Sequence, residues 1–225
     1  MRTRVARWLA ALGLAVAYFA TARLGLALAL PPDYKATAVW APSGIALAFV
    51  LLFGSRMGAG VWAGAFAANV WGALAPNPSG VLTAHLISSA VIATGSTLQA
   101  LAGAVLIRRF IGPRGALECA RDAFRFVTII PAACLIAATA GALALGATGL
   151  VPWAAVPTRW WAWWVGDTVD ALVVAPVVLC AVRCEPFRRP TTEAVVLFAL
   201  LLGSCAFVFG GWWLSGVPTA PLAYL

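Results

Sequence analysis

Long apolar tracts alternate along the chain with short polar segments that carry most of the charged residues. A tract of about 20 apolar residues is long enough to cross a bilayer as an α-helix. The pattern therefore predicts an all-α membrane protein, a polytopic bundle of transmembrane helices. Seven tracts are predicted to span the membrane: residues 8–30, 36–53, 57–74, 81–107, 124–149, 160–182 and 194–214.

The second tract is the least regular, because Pro42 and Gly44 interrupt it. Residues 40–53 alone would be short for a full crossing. Broken helices occur in membranes where neighbouring groups or water satisfy the freed backbone groups. The segment from Trp40 to Gly44 is therefore a candidate cavity lining, and a simple kink is the alternative.

The composition is that of a membrane domain. Hydrophobic residues make up 63% of the chain and charged residues 10%, whereas a soluble domain carries roughly 25% charged residues. No polar connection is long enough for a soluble domain, so residues 1–225 are expected to form one integral membrane domain. The five cysteines are scattered along the chain, and we interpret them as packing residues. With one histidine in the chain, a metal site is not expected. No cofactor is predicted.

The formal net charge of +8 follows from arginines that alternate between loops. Basic residues precede the first tract and follow the second, fourth and sixth, whereas the opposite loops hold only Lys35 and Arg159. The positive-inside rule then places the N-terminus in the cytoplasm. The charge is a topology signal, and no nucleic-acid partner is predicted. A cleaved signal peptide is the competing interpretation, but the first apolar run exceeds the ~7–15 residues of a signal core.

Small residues recur at every fourth position in two tracts. They are Gly60, Gly64, Ala68 and Gly72 in the third tract and Ser96, Ala100 and Ala104 in the fourth. This spacing lets helix backbones approach closely, so that dispersion contacts hold the bundle together. Packing within the chain is the favoured interpretation, and homodimerisation is the alternative.

Polar side chains inside the spans are the candidates for function, since an intramembrane charge costs at least about 2.5–3.5 kcal/mol and persists where it meets a partner or ligand. At about 1.5 Å per residue, Arg23, Asn69, His85 and Asp167 lie about 6–10 Å from the outer ends of their spans. Asp170 lies about 5 Å deeper. The matching depth suggests an Arg23–Asp167 ion pair, which would leave Asp170 as the less compensated charge.

The candidates for a ligand or sensing pocket are Arg23, Trp40, Ser43, Asn69, His85, Trp164, Asp167 and Asp170. Each also has an ordinary structural explanation. A buried ion pair can be purely structural, an intramembrane asparagine or histidine can bond a neighbouring helix, and tryptophans form an interfacial belt.

Four short motifs follow one another along the chain: WAPSGIAL at residues 40–47, GAFAAN at 64–69, GSTLQAL at 95–101 and WWVGD at 163–167. In their order and spacing, the chain resembles the MASE-one family, the first membrane-associated sensor family, over nearly its whole length. Outside the pocket candidates, the resemblance implies structural roles for Pro42, Gly44, Gly64, Phe66, Thr97, Gln99 and Gly166. Two positions depart from the pattern: Ser96 stands where asparagine is frequent, and Asp170 where a small residue is usual.

The resemblance implies a sensory input module of the bacterial inner membrane, with about eight spans and no enzymatic activity of its own. It also implies a cytoplasmic output domain, of the histidine-kinase or diguanylate-cyclase type. The expected partners are the lipid bilayer, that output domain and an unidentified small ligand or membrane protein. A small-molecule or ion transporter that uses the intramembrane Asp and Arg residues is the alternative. A membrane-embedded enzyme lacks an evident catalytic set, and a pure assembly protein stays open.

Seven spans from a cytoplasmic start would leave the C-terminus outside the cytoplasm. Residues 218–225 have the pattern of a turn that enters a further apolar helix, and the resembled family has an eighth span at this point. The chain is therefore expected to be a C-terminally truncated sensor.

We expect reporter fusions near Arg114 and Arg188 to report a cytoplasmic location, and fusions near Pro78 and Pro157 to report the outside. The physical basis is the arginine asymmetry between the loops. A paired alkaline phosphatase and green fluorescent protein reporter at each site measures it. The same side for the fusions at Pro78 and Arg114 would contradict the span assignment.

Overall fold

A computed structural model describes residues 2–27, 40–73, 81–112 and 120–183 of the chain. Within these ranges the regular structure is helical. The helices are α1 (Arg2–Ala27), α2 (Pro42–Phe53), α3 (Gly58–Ala73), α4 (Leu82–Phe110), α5 (Ala120–Ala147) and α6 (Val156–Arg183). Short 3-10 turns at Ser55–Met57 and Trp153–Ala155 precede α3 and α6. The predicted all-α class is confirmed for the described part of the chain.

Four stretches of the described chain are long and apolar enough to cross a membrane: Arg7–Leu26, Leu82–Phe110, Ala120–Ala147 and Trp153–Val182. They correspond to the predicted first, fourth, fifth and sixth spans. The predicted seventh span, residues 194–214, and the terminal segment 218–225 lie outside the described residues. The contacts divide the chain after Leu179, and the packing described below is that of the first unit.

Helix α2 is too short to cross the bilayer alone. Its 12 residues extend about 18 Å, against a hydrocarbon core of about 30 Å. Pro42 stands in its first turn, where the fixed φ of proline suits a helix start and no N–H is required. Gly54, at φ 92°, ends it. The interruption that the sequence predicts therefore lies at the start of α2 and is not a kink within a longer helix.

The predicted packing through small residues is present between α1 and α3. A Cβ atom on Gly64 would lie 2.7 Å from the Ala15 carbonyl oxygen and 2.8 Å from the Tyr18 Cβ. A Cβ atom on Gly60 would overlap the Ala11 carbonyl oxygen. The two glycines therefore let α3 lie directly against the backbone of α1, which serves the intramolecular use of this pattern.

Helix α4 lies between α2 and α5 along a second line of small residues. Ala100 and Ala104 are buried. A Cβ atom on Gly95 would lie 2.8 Å from the Ala140 Cβ of α5, and one on Gly103 would lie 3.2 Å from the Leu47 Cδ1 of α2. These contacts bring the middle of α2 and the facing part of α5 against α4.

We expect Gly64→Ala to lower the stability of the bundle, because the new Cβ atom would force α3 away from α1. Overpacking of this kind typically costs about 1–3 kcal/mol. Gly13→Ala in α1 is the matched control, since a Cβ atom there meets nothing within 4 Å and alanine favours a helix by about 1 kcal/mol over glycine. Thermal unfolding in detergent checks both. Equal effects of the two substitutions would contradict the close approach.

Candidate functional site: a buried polar cluster at the start of helix α2

The carboxyl group of Asp170 in α6 binds the first turn of α2. Its side chain is 1% exposed. The Oδ2 atom accepts a hydrogen bond from the Gly44 backbone N–H at 3.0 Å and one from the Ser43 hydroxyl at 3.1 Å. Hydrogen bonds to charged groups are stronger than neutral ones. A side chain of α6 therefore caps the N-terminus of α2.

The first turn of a helix has N–H groups without partners inside the helix. In α2, Pro42 has no N–H, and the N–H of Ser43 lies 3.2 Å from the Trp40 carbonyl oxygen. The Gly44 N–H donates its hydrogen bond to Asp170. The carboxylate also lies at the positive pole of the helix dipole, which stabilises an anion there.

Glycine is also required at position 44 for a steric reason. A Cβ atom at this position would lie 2.7 Å from the Val174 Cβ and 2.9 Å from the Asp170 carbonyl oxygen. Only glycine lets the start of α2 approach α6 closely enough for the Asp170 contact. The three residues Pro42, Ser43 and Gly44 thus start the helix, donate a hydroxyl hydrogen bond and allow the close approach.

The other end of α2 is bound by a cation. The Nη2 atom of Arg108, in the last turn of α4, donates to the Val50 carbonyl oxygen at 2.6 Å and lies 3.2 Å from that of Leu51. Carbonyl groups in the last turn of a helix lack partners, and a cation is favoured at this negative pole. Charged side chains from other helices therefore bind both ends of α2, and at its second end Arg108 shares the Val50 carbonyl oxygen with the Gly54 N–H, which donates to it at 3.0 Å.

Asp167 lies one turn before Asp170 in α6 and is 3% exposed. The Gln99 side-chain amide of α4 lies next to its carboxyl group. Within the described residues, the Oδ1 atoms of Asp167 and Asp170 and the Oε1 atom of Gln99 are buried and have no hydrogen-bond partner. The hydroxyl of Thr168, the residue after Asp167, is likewise buried without a partner.

A small cavity of about 10 Å³ adjoins this cluster. Ser43 of α2 and Gln99 of α4 contribute polar side chains to its lining, and Asp167 and Asp170 do not line it. The other lining residues are Leu47, Ala100, Gly103, Ile130, Ala133, Cys134 and Ala171. A volume of this size holds about one water-sized species. The cavity is therefore too small for an organic ligand in the conformation described.

The suggested Arg23–Asp167 ion pair is not formed. Within the described residues, the carboxylate in contact with arginines is Asp122, 4.0 Å from Arg121 and 3.8 Å from Arg125. The Arg23 guanidinium instead lies over the Trp71 ring of α3, 5.9 Å from its centroid. The prediction was wrong because a matching depth does not establish which helix is the neighbour, and α1 packs against α3.

The suggestion that Asp170 is the less compensated carboxylate was also wrong. Asp170 accepts two hydrogen bonds at the start of α2, whereas the neighbour of the Asp167 carboxyl is the amide of Gln99. The sequence had shown no reason for this difference. It arises because α2 begins against α6 at the level of Asp170.

The four remaining pocket candidates make separate contacts. The Trp40 carbonyl oxygen lies 3.3 Å from the Ser43 hydroxyl, at the edge of the cluster. The Trp164 indole N–H donates to the Pro131 carbonyl oxygen of α5 at 2.8 Å. Asn69 lies apart, and its amide donates to the Ala65 carbonyl oxygen of its own helix at 2.8 Å. His85 is half-buried in the first turn of α4.

Most of the motif residues expected to be structural make ordinary packing or helix contacts. Phe66 stacks on Trp62 with 5.0 Å between ring centroids, the Thr97 hydroxyl donates to the Ala93 carbonyl oxygen, and Gly166 is buried. Gln99, in contrast, belongs to the polar cluster. The sequence does not reveal the role of Arg108, because the topology rule already explains an arginine near the end of a span.

The described residues contain no group of three or more His, Cys, Asp or Glu side chains that could hold a metal ion. The chemistry available to the cluster is therefore that of two carboxyl groups, a hydroxyl group, an amide and a helix start. Such a set can bind a small polar or cationic species and can couple it to the position of α2.

The family model described as MASE1 matches residues 8–225, which is nearly the whole chain. No curated protein and no solved structure shows significant similarity to it.

We expect Asp170→Ala and Ser43→Ala each to destabilise the protein, and their effects to be coupled. Loss of a hydrogen bond to a charged group costs about 1.5–3 kcal/mol, and residues in contact typically couple by about 0.5–3 kcal/mol. A double-mutant cycle in thermal or denaturant unfolding measures the coupling.

Ser88→Ala is the matched control for this cycle. Ser88 is also buried and hydrogen bonded, with 2.8 Å between its hydroxyl and that of Thr148, but it shares no partner with Asp170. Its effect should add to that of Asp170→Ala. Additivity of Ser43→Ala with Asp170→Ala, to within about 0.5 kcal/mol, would count against the contact.

Proposed function

Since the chain belongs to the MASE1 family of membrane sensory input domains, we propose that it receives its signal at the polar cluster around Asp170 and transmits it through α2. The output is a cytoplasmic signalling domain of the histidine-kinase or diguanylate-cyclase type. The chain itself carries no catalytic activity in this proposal. Residues 1–225 act as one membrane domain in a bacterial inner membrane, with the N-terminus in the cytoplasm.

The observation that carries the proposal is the attachment of α2 at both ends. At the start, Asp170 accepts from Ser43 and Gly44, and at the end Arg108 donates to Val50. A helix of this length is not anchored by a full membrane crossing. Apolar packing holds the middle of α2 in the core, and these polar contacts bind its two ends, where a ligand or a change in the membrane can act.

The two ends of α2 lie at different depths. The arginine asymmetry puts Arg108 at the cytoplasmic end of α4, whereas Asp170 belongs to the part of α6 that is nearer the membrane centre. Helix α2 extends about 18 Å between the two contacts. A displacement of its start would thus reach the cytoplasmic end of α4, where a signalling domain can respond.

A signal of this kind works by shifting a population. The stimulus must bind one arrangement of α2 more tightly than the other, because a ligand with equal affinity for both shifts nothing. Loss of the Asp170 contacts, without loss of the fold, would shift the population toward one of the two signalling states.

Transport of a small ion or molecule is the second candidate function. The observation in its favour is that Asp167 and Asp170 are buried and each retains an oxygen atom without a partner among the described residues. A transporter predicts uptake into vesicles that collapses with a proton-gradient uncoupler. A sensor predicts no net uptake.

The test uses the intact signalling protein in which this membrane domain occurs. We expect Ser43→Ala and Arg108→Gln to change the output activity in membranes several-fold, with protein levels unchanged. Ser88→Ala and Gly13→Ala serve as controls that leave the α2 contacts in place. Phosphorylation or cyclic dinucleotide formation is the measurement. Output that is unchanged by both substitutions would contradict signalling through α2.

A further inference from the structure

We propose that a patch of arginine side chains, where α4 ends and α5 begins, binds the headgroup of one anionic phospholipid. The patch is formed by Arg109 of α4 and by Arg121 and Arg125 of α5. It does not include the polar cluster at the start of α2, and the inference does not rely on the proposed signalling route.

Contacts through Phe110 and Asp122 join the three arginines. The Arg125 Nη1 atom donates to the Phe110 carbonyl oxygen at 2.7 Å, and the Arg109 guanidinium lies over the Phe110 ring, 5.9 Å from its centroid. In α5, Arg125 Nη1 and Arg121 Nε lie 3.8 and 4.0 Å from the same Asp122 Oδ1 atom. The start of α5 is therefore held against the end of α4, and both carry guanidinium groups.

The charge of the patch favours an anion, since three guanidinium groups accompany one carboxylate within the described residues. The contacts of Asp122 with Arg121 and Arg125 are longer than the ~2.7–2.9 Å of a charge-assisted hydrogen bond. The side chains of these arginines are 73% and 44% exposed. A guanidinium has five N–H donors and pairs with a phosphate group through two parallel hydrogen bonds. Residues 113–119 add one arginine and one glutamate, so their composition leaves the balance unchanged.

The helix ends at the patch do not oppose an anion. Helix α4 presents its negative pole here, but α5 begins beside it with its positive pole. The Phe110 carbonyl oxygen is already bound by Arg125, and the Ile107 carbonyl oxygen accepts from the N–H groups of Ile111 and Gly112. The partial charges of the two helix ends therefore offset each other, and the arginine side chains determine the sign.

Exposed apolar side chains adjoin the arginines and favour a lipid over a soluble anion. Val105 lies one turn before Arg109 on the same face of α4, and Phe124 lies one turn after Arg121 in α5. Val105, Phe110 and Phe124 are all exposed. An acyl chain can cover these side chains while its phosphate group meets the arginines. Basic clusters at the ends of membrane helices bind anionic headgroups in this way.

The experiment measures lipid binding to the purified protein in detergent, where no charged membrane surface is present. Phosphatidylglycerol or phosphatidylcholine is added, and native mass spectrometry gives the number of lipids bound and the affinity for each. We expect one phosphatidylglycerol per chain, bound at least about tenfold more tightly than phosphatidylcholine, because phosphatidylglycerol alone carries a net negative charge. Equal affinity for the two lipids would overturn the proposal.

Substitutions locate the lipid. Arg109→Gln and Arg121→Gln should each lower the affinity for phosphatidylglycerol about fivefold. Asp122→Asn should raise it, because the competing carboxylate is lost. Arg7→Gln is the matched control, since Arg7 is an exposed arginine of α1 outside the patch, and it should leave the affinity unchanged. Equal losses in Arg7→Gln and in the patch variants would indicate a general attraction to basic residues and overturn the assignment.

The opposite signs of these effects separate binding from a loss of folding, because a misfolded variant would not bind more tightly. Inorganic phosphate at 10 mM distinguishes a lipid from a soluble anion. We expect it to leave most of the phosphatidylglycerol bound, because phosphate lacks the acyl chains that contact Val105 and Phe124. Complete displacement would overturn the lipid assignment and indicate a site for soluble phosphate.

Discussion

The structure depends on one constraint: backbone groups at a helix end inside a membrane must find partners other than water. Helix α2 begins within the bundle, and its first turn is satisfied by Asp170 of α6. In its last turn, the Val50 carbonyl oxygen accepts from the Gly54 N–H and from Arg108 of α4. The polar residues in these spans are thus explained first by the needs of a short helix. Their use in signalling builds on that role, because contacts that hold a helix can also be changed.

Close approach between backbones makes this arrangement possible. Gly44 brings the start of α2 against α6, as Gly60 and Gly64 bring α3 against α1. In a membrane the lipid is as apolar as the side chains, so packing at short distance replaces the hydrophobic effect as the source of helix association. The small-residue contacts therefore set how closely the polar groups of the cluster approach one another.

Sequence reasoning predicted the helical class, the two buried carboxylates as the centre of interest and the irregular start of the second tract. It predicted these features because hydrophobic length and intramembrane charge have direct physical consequences. It failed for the Arg23–Asp167 pair and for the relative compensation of the two carboxylates. Those depend on which helices are neighbours and at what level α2 begins. Depth along a helix axis carries neither piece of information.

The contact between Asp170 and the start of α2 joins residues that are 126 and 127 positions apart in the chain. At a synthesis rate of about 5–20 residues per second, the ribosome needs about 6–25 s to proceed from Gly44 to Asp170. Throughout that interval the first turn of α2 lacks its native acceptor. Until α6 has been synthesised, the start of α2 therefore needs water or the insertion machinery as a partner for its N–H groups. Insertion of α2 is complete only when α6, the last described helix, is in place.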